Sequence, residues 1–111
     1  MEITIKKYKH CDLLSVQGKV DSYTAPELTK AFEKINQDGQ YKIVLDMGNL
    51  EYMSSAGFRA LLIGQRNCKR YNRGEVVLAA PPKKIMDALE LTGFTPLFRV
   101  FDDVTTAVGS F

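Results

Sequence analysis

"LDMGNLEYMSSAGFRALL", residues 45–62, is the stretch on which the fold turns. It starts as the tail of an apolar run, Ile43-Val44-Leu45-Asp46, and crosses a short polar loop to two adjacent serines, Ser54 and Ser55. From there Phe58, Leu61, Leu62, Gln65 and Cys68 recur at helical spacing, which predicts a helix with one inner face, ending near Gly74. The preceding "YKIVLDM" is almost continuously apolar, as a strand covered on both faces should be. A covered strand feeding an amphipathic helix is the repeating unit of an α/β sheet.

The flanking sequence extends that unit in both directions. "MEITIKKY" alternates, with Ile3 and Ile5 on one side and Thr4 and Lys6 on the other, and "CDLLSVQGKV" supplies an antiparallel partner strand. "DSYTAPELTKAFEKINQDG" is a helix with both ends marked: Thr24 and Glu27 as a capping box, Pro26 in the first turn, Gly39 as the stop. Its buried stripe is Leu28, Ala31, Phe32 and Ile35. Beyond the serine helix come a strand in "EVVLAA" halted by Pro81-Pro82, and a helix in "KKIMDALELTG" closed by Gly93. A strand in "PLFRVF" and a short helix capped by Asp102 or Asp103 complete the chain. The expected order is β-β-α-β-α-β-α-β-α, a mixed, mostly parallel sheet packed by about four helices and opened by an antiparallel pair.

Composition narrows the function. The 111 residues suffice for one domain, residues 1–111, and are 45% apolar and 25% charged. A net charge of +2 is too mild to imply a nucleic-acid partner or a membrane surface. Cys11 and Cys68 fit no zinc or C-x-x-C spacing and read as reduced packing residues, and no metal or cofactor is expected. No run approaches the roughly 20 apolar residues of a membrane span, and the start lacks a signal peptide's apolar core, so a cytoplasmic protein is expected.

Two hydroxyls and a glycine at the mouth of a helix admit three explanations: a cap, a phosphate-binding or catalytic loop, or a residue that itself receives a phosphate. The loop has neither G-x-x-x-x-G-K-[ST] nor G-x-G-x-x-G. A nucleophilic serine would need a base, and the one histidine, His10, lies in "KYKHCD" near the N-terminus; "SSAG" also lacks the G-x-S-x-G elbow. Ser54 suits the N-cap. That leaves Ser55 at the first helical position, facing solvent, where free N–H groups and the helix dipole favour a phosphate. On the same helix Ser55, Arg59, Ile63, Arg66, Arg70 and Arg73 fall within a stripe about 80° wide. A basic solvated face is one reading; the apolar Ile63 between arginines favours contact with an acidic partner. No aromatic platform or helix-turn-helix pattern accompanies those arginines, so nucleic acid is not the expected ligand.

Three stretches, "GKVDSYTAPEL" (18–28), "IVLDMGNLEYMSSAGFRALL" (43–62) and "LELTGFTPLFRVFDD" (89–103), resemble the STAS domain of bacterial anti-sigma factor antagonists. The resemblance covers almost the whole chain. It implies a protein that is no enzyme and that binds an anti-sigma factor, itself a serine kinase of the histidine-kinase-like ATPase type. Phosphorylation of one serine at the start of the second helix breaks that complex, and a PPM-type phosphatase restores it. Matched residue by residue, the family's D-S-x-G falls on Ser54-Ser55-Ala56-Gly57, which makes Ser55 the phosphoacceptor. Asp21 matches the acidic residue in the loop beside it, Asp46 the aspartate ending the third strand, and Gly57 a glycine that lets helix and neighbouring backbone approach. Together with the stripe on the helix, the expected partner surface comprises Asp21, Ser22, Tyr23, Thr24, Ser54, Ser55, Gly57, Phe58, Arg59, Ile63 and Arg66, and a monomer is expected. Ser54 stands where the family often has aspartate, which offers a second hydroxyl and removes a carboxylate a kinase would grip. STAS-like domains also serve as scaffolds in stressosomes and lipid-transport complexes, the alternative role for this chain.

Overall fold

The computed structural model describes residues 1–111, and its architecture is set by one long strand that changes partners. β1 (Glu2–Lys7) and β2 (Asp12–Val20) form the antiparallel pair, closed by a Tyr8 N–H to Cys11 carbonyl bond of 2.9 Å. α1 (Ala25–Gln37), β3 (Lys42–Asp46), β4 (Leu50–Met53), α2 (Ser55–Lys69) and β5 (Glu75–Ala79) follow. α3 (Lys83–Thr92), β6 (Val100–Phe101) and α4 (Val104–Gly109) complete the chain. The sheet runs β1-β2-β3-β5-β6, parallel from β2 onward, with β4 also paired parallel to β2.

β2 pairs β3 through Asp12–Ser15 and β4 through Gly18–Val20, with a bulge between Gly18 and Lys19. Gly18 has φ +90°, a conformation open to glycine and strained for other residues, and its N–H bonds to the Asn49 carbonyl at 3.1 Å. The kink carries the end of β2 away from β3 and against β4. It therefore sets where the chain leaves the sheet for α1 and where it enters α2.

The period of two along the strands divides the core. Leu14, Val16, Ile43, Leu45, Val76 and Leu78 point under α1, α2 and α3. Leu13, Val44, Val77 and Ala79 point to the other face, covered by Ala107 of α4. Each of these Leu, Ile and Val side chains stabilises the fold by roughly 1.5–3 kcal/mol through burial. α1 and α2 approach closely at Gly64, where a Cβ would stand 2.9 Å from the Phe32 ring. The expected stripe of Leu28, Ala31, Phe32 and Ile35 is the buried face of α1.

Four expectations are corrected. The polar loop before Ser54 contains β4, in which Leu50 and Met53 are buried and Glu51 and Tyr52 exposed. Four residues carry no readable period, and their partner strand is distant in sequence. α2 stops at Lys69 rather than near Gly74, because Tyr71 and Asn72 adopt left-handed conformations, φ +60° and +56°. The "PLFRVF" strand shrinks to Val100–Phe101, since Thr95–Leu97 forms a 3-10 turn around Pro96, whose ring fixes φ and removes a donor. The capping box is absent: Thr24 has helical dihedrals and makes no side-chain cap bond. Asp21 takes over, accepting the N–H groups of Tyr23 (2.9 Å) and Thr24 (3.0 Å) on one carboxylate oxygen.

Candidate functional site

The two loops that sequence reasoning singled out meet at the end of β2. Val20 pairs with Met53, and the Val20 carbonyl accepts the Ser54 N–H at 2.8 Å, which brings the Asp21–Thr24 loop beside the start of α2. The loop is braced internally. Thr24 Oγ1 accepts the Asp21 N–H at 2.8 Å and lies 3.1 Å from the Asp21 carboxylate, and the Ala25 N–H bonds to the Asp21 carbonyl at 2.8 Å. The Thr24 N–H, above all, and the Thr24 hydroxyl and Tyr23 N–H hold the Asp21 carboxyl below the ordinary aspartate range, against a smaller opposing effect of desolvation. Asp21 is therefore a fixed anion at neutral pH. Ser22 and Tyr23 project outward, Tyr23 being 91% exposed.

Ser54 is extended (φ −78°, ψ 173°) and caps α2, its Oγ accepting the Gly57 N–H at 3.4 Å. With the cap supplied by Ser54, the exposed Ser55 at the first helical residue has no structural duty recorded in the hydrogen-bond network. Gly57 is required by side chains rather than by neighbouring backbone, which corrects the expectation. A Cβ there would stand 2.6 Å from Met53 Cγ and 2.9 Å from Val20 Cγ1. Phe58 is 4% exposed and anchors the first turn in the core, so it belongs to the frame of the surface and not to its contact face.

Arg59 and Ile63 continue along the exposed side of α2 and line a groove of about 420 Å³ shared with α1. Ser22, Pro26 and Thr29 form its opposite wall, and Ala56 and Ala60 its floor. Sequence reasoning missed the α1 wall. The signal available was the small pair Ala56/Ala60 at i, i+4 beside Ile63, which leaves room next to a helix.

Other expected members of the site lie elsewhere. Asp46 ends β3, where its carboxylate accepts the Gly48 N–H (3.0 Å) and the Ser15 hydroxyl (3.4 Å); it faces a separate polar recess with Thr4 and Asn49. Arg66 and Leu62 line a different groove, against Phe94 and Leu97. Arg70 sits at the helix cap, and Arg73 folds back over Tyr41, 3.8 Å from the ring centroid, with its Nη2 on the Asn67 carbonyl at 2.8 Å. The arginine stripe thus ends at Arg66, because the helix itself ends.

Residues 2–107 match the family model described as the STAS domain. The chain belongs to the STAS domain family. It is 30% identical over 111 residues to BtrV of Bordetella bronchiseptica, assigned as an anti-sigma factor antagonist, spanning 100% of this chain and 95% of that one. The anti-sigma-B factor antagonist of Staphylococcus aureus is 31% identical over 87 residues, 78% of this chain and 80% of that one. In fold, this STAS domain superposes on an anti-sigma factor antagonist structure from Thermotoga maritima with a TM-score of 0.89 at 18% identity, over 97% and 92% of the two chains. SpoIIAA superposes in its unphosphorylated form (TM-score 0.75, 16% identity, 89% and 87% covered). The phosphorylated form, from Bacillus, gives 0.70 at 14% identity, with 89% and 90% covered. No helix of the chain is long and apolar enough to cross a membrane.

Proposed function

We propose that this STAS domain is an anti-sigma factor antagonist whose unphosphorylated form binds an anti-sigma factor and which phosphorylation of Ser55 switches off. The observation that carries the proposal is the Ser55 hydroxyl: exposed, at the positive end of α2, on a helix already capped by Ser54. Its surroundings fit a docking face, with the fixed Asp21 loop on one side and Arg59 and Ile63 on the other. The curated relatives named above carry the same activity in their names. The partner is an anti-sigma factor serine kinase of the histidine-kinase-like ATPase type, and a PPM-type phosphatase reverses the modification. The domain supplies a surface and a hydroxyl acceptor; the catalytic groups belong to those partners.

Phosphorylation transfers the terminal phosphoryl group of ATP to Ser55 Oγ; ADP leaves and the hydroxyl proton passes to the kinase's base. The new group brings about −1.5 to −2 charges. Free in solution it is stabilised by the unpaired N–H groups of the first turn and by Arg59 one turn on. Docked, it would face desolvation costing several kcal/mol, and its repulsion from Asp21, screened by water in the free domain, would strengthen. A loss of only about 3 kcal/mol weakens binding more than 100-fold. Ser54 is the poorer acceptor, since it is half-buried and its Oγ already holds the Gly57 N–H. Incubation with the anti-sigma factor kinase and ATP, followed by peptide mass spectrometry, tests the assignment. Modification at Ser55, abolished in Ser55→Ala, is expected; modification elsewhere, or none, contradicts it.

A further inference from the structure

The C-terminal half of α2 carries a second groove that the Ser55 switch does not use. It measures about 650 Å³ and lies between α2 and the Thr95–Leu97 turn, with Leu62, Phe94 and Leu97 as its apolar part and Arg66, Lys69 and Arg70 along its edge. Leu97 is 42% exposed, and Leu62 and Phe94 are half-buried.

The frame of this groove is rigidly tied. Buried Gln65 donates to the carbonyls of Leu97 (2.7 Å) and Val76 (3.0 Å) and accepts the Val76 N–H at 2.6 Å, which fastens the turn to both α2 and β5. Lys69 Nζ reaches the Leu97 carbonyl at 3.4 Å. None of the three cations has a carboxylate partner: the ion pairs join Lys7 to Asp12 and Asp38, Lys83 to Asp87, and Arg99 to Glu75. No acidic residue lines the groove. Cations near a helix C-terminus offset the dipole, which accounts for Lys69 and Arg70 by themselves. It does not account for an apolar floor beside them.

We propose that this groove docks an acidic protein segment carrying apolar side chains, through a contact separate from the Ser55 face. Charge complementarity chooses the partner's sign, since three uncompensated cations attract a run of carboxylates and repel a basic segment. The floor chooses its side chains, because a Leu or Phe anchor entering between Leu62, Phe94 and Leu97 leaves water while the cations ring it. Leu62 and Ile63 are neighbours in sequence yet line opposite grooves of α2, so one helix serves two contacts. At about 1.5 Å rise per residue, Ser55 and Arg66 are roughly 16 Å apart along the axis. That exceeds the Debye length of about 8 Å at physiological salt, so the second contact is indifferent to phosphate on Ser55.

The test uses a short fluorescent helical peptide with Leu and Phe at i, i+4 among glutamates, and its counterpart with lysines in place of the glutamates. Anisotropy measures affinity, and amide NMR shifts locate the contact. The acidic peptide is expected to bind with shifts centred on Leu62, Phe94 and Leu97. Affinity should fall by about tenfold or more in Lys69→Glu/Arg70→Glu and stay unchanged in Ser55→Asp. Equal binding of both peptides, shifts centred elsewhere, or an unaffected double variant overturns the proposal. So does binding to phosphatidylglycerol vesicles without binding to the acidic peptide.

Discussion

Ser55 and Asp21 divide the work of the site between a modifiable group and a fixed one. Ser55 makes no contact that the fold requires, so Ser55→Ala should change unfolding free energy by no more than about 0.5 kcal/mol in a urea titration. Ser54→Ala removes the helix cap and should cost about 0.5–1 kcal/mol, the low end for caps, because its bond to the Gly57 N–H is long at 3.4 Å. Asp21 has a folded-state pKa below its unfolded value. Its stabilisation of the loop is therefore complete above the ordinary aspartate pKa of about 3.9 and is lost only as pH falls through the lower folded value. The Tyr23 and Thr24 amide signals should accordingly hold steady from neutral pH down through that range. If they moved with a midpoint at or above it, the hydrogen bonds assigned to the carboxylate would be wrong. The sequence marked both residues but misassigned the cap, because Thr24 and Glu27 have capping-box spacing while Asp21, three residues before Thr24, takes the Thr24 N–H that Glu27 would have accepted.

Among the elements, the strongest sequence signals became the strongest structure. α1, β3 and the first part of α2 carry full apolar stripes or runs, and each lies where its pattern put it. β4 was illegible, being four residues long and held by a partner distant in the chain, and β6 was legible only as the longer "PLFRVF" strand, of which two residues pair with β5. The groove between α1 and α2 was only half legible: Ala56 and Ala60 mark its floor in the sequence of α2, but its other wall comes from α1, and no single-helix pattern reports their separation. Gly64 sets that separation, and Gly57 sets how closely the start of α2 lies on the ends of β2 and β4. Gly57→Ala drives a methyl into Met53 and Val20, and Gly64→Ala drives one into the Phe32 ring. Each should destabilise the domain by about 1–3 kcal/mol, read from chemical denaturation. Gly64→Ala should also weaken partner binding, because pushing the helices apart moves the Pro26 and Thr29 wall away from Arg59 and Ile63. A Gly64→Ala domain as stable as wild type would show that the helices are not in the close contact described.

The whole molecule is built so that the switch stays local. Helices α1 to α3 cover one face of the sheet and α4 the other, and Ser55 projects from the edge of the first layer into solvent. Phosphate there adds charge without entering either core, so amide shifts on phosphorylation should concentrate in residues 21–24 and 54–63. Shifts spread through β3 and β5 would mean that the domain repacks instead. The two cysteines share this insulation. Cys68 lies in the core between α1 and α2, where burial raises its thiol pKa against opposing effects of Asn36 and Arg73; Cys11 is raised by burial and by the charge of Asp12. Both should react with a thiol reagent only as fast as the native domain opens. The central claim, that one exposed hydroxyl controls affinity, is tested most directly by calorimetry of the anti-sigma factor against unmodified and fully Ser55-phosphorylated protein. The account predicts tight binding of the first and a loss of about 100-fold or more for the second. Equal affinities of the two forms would contradict it.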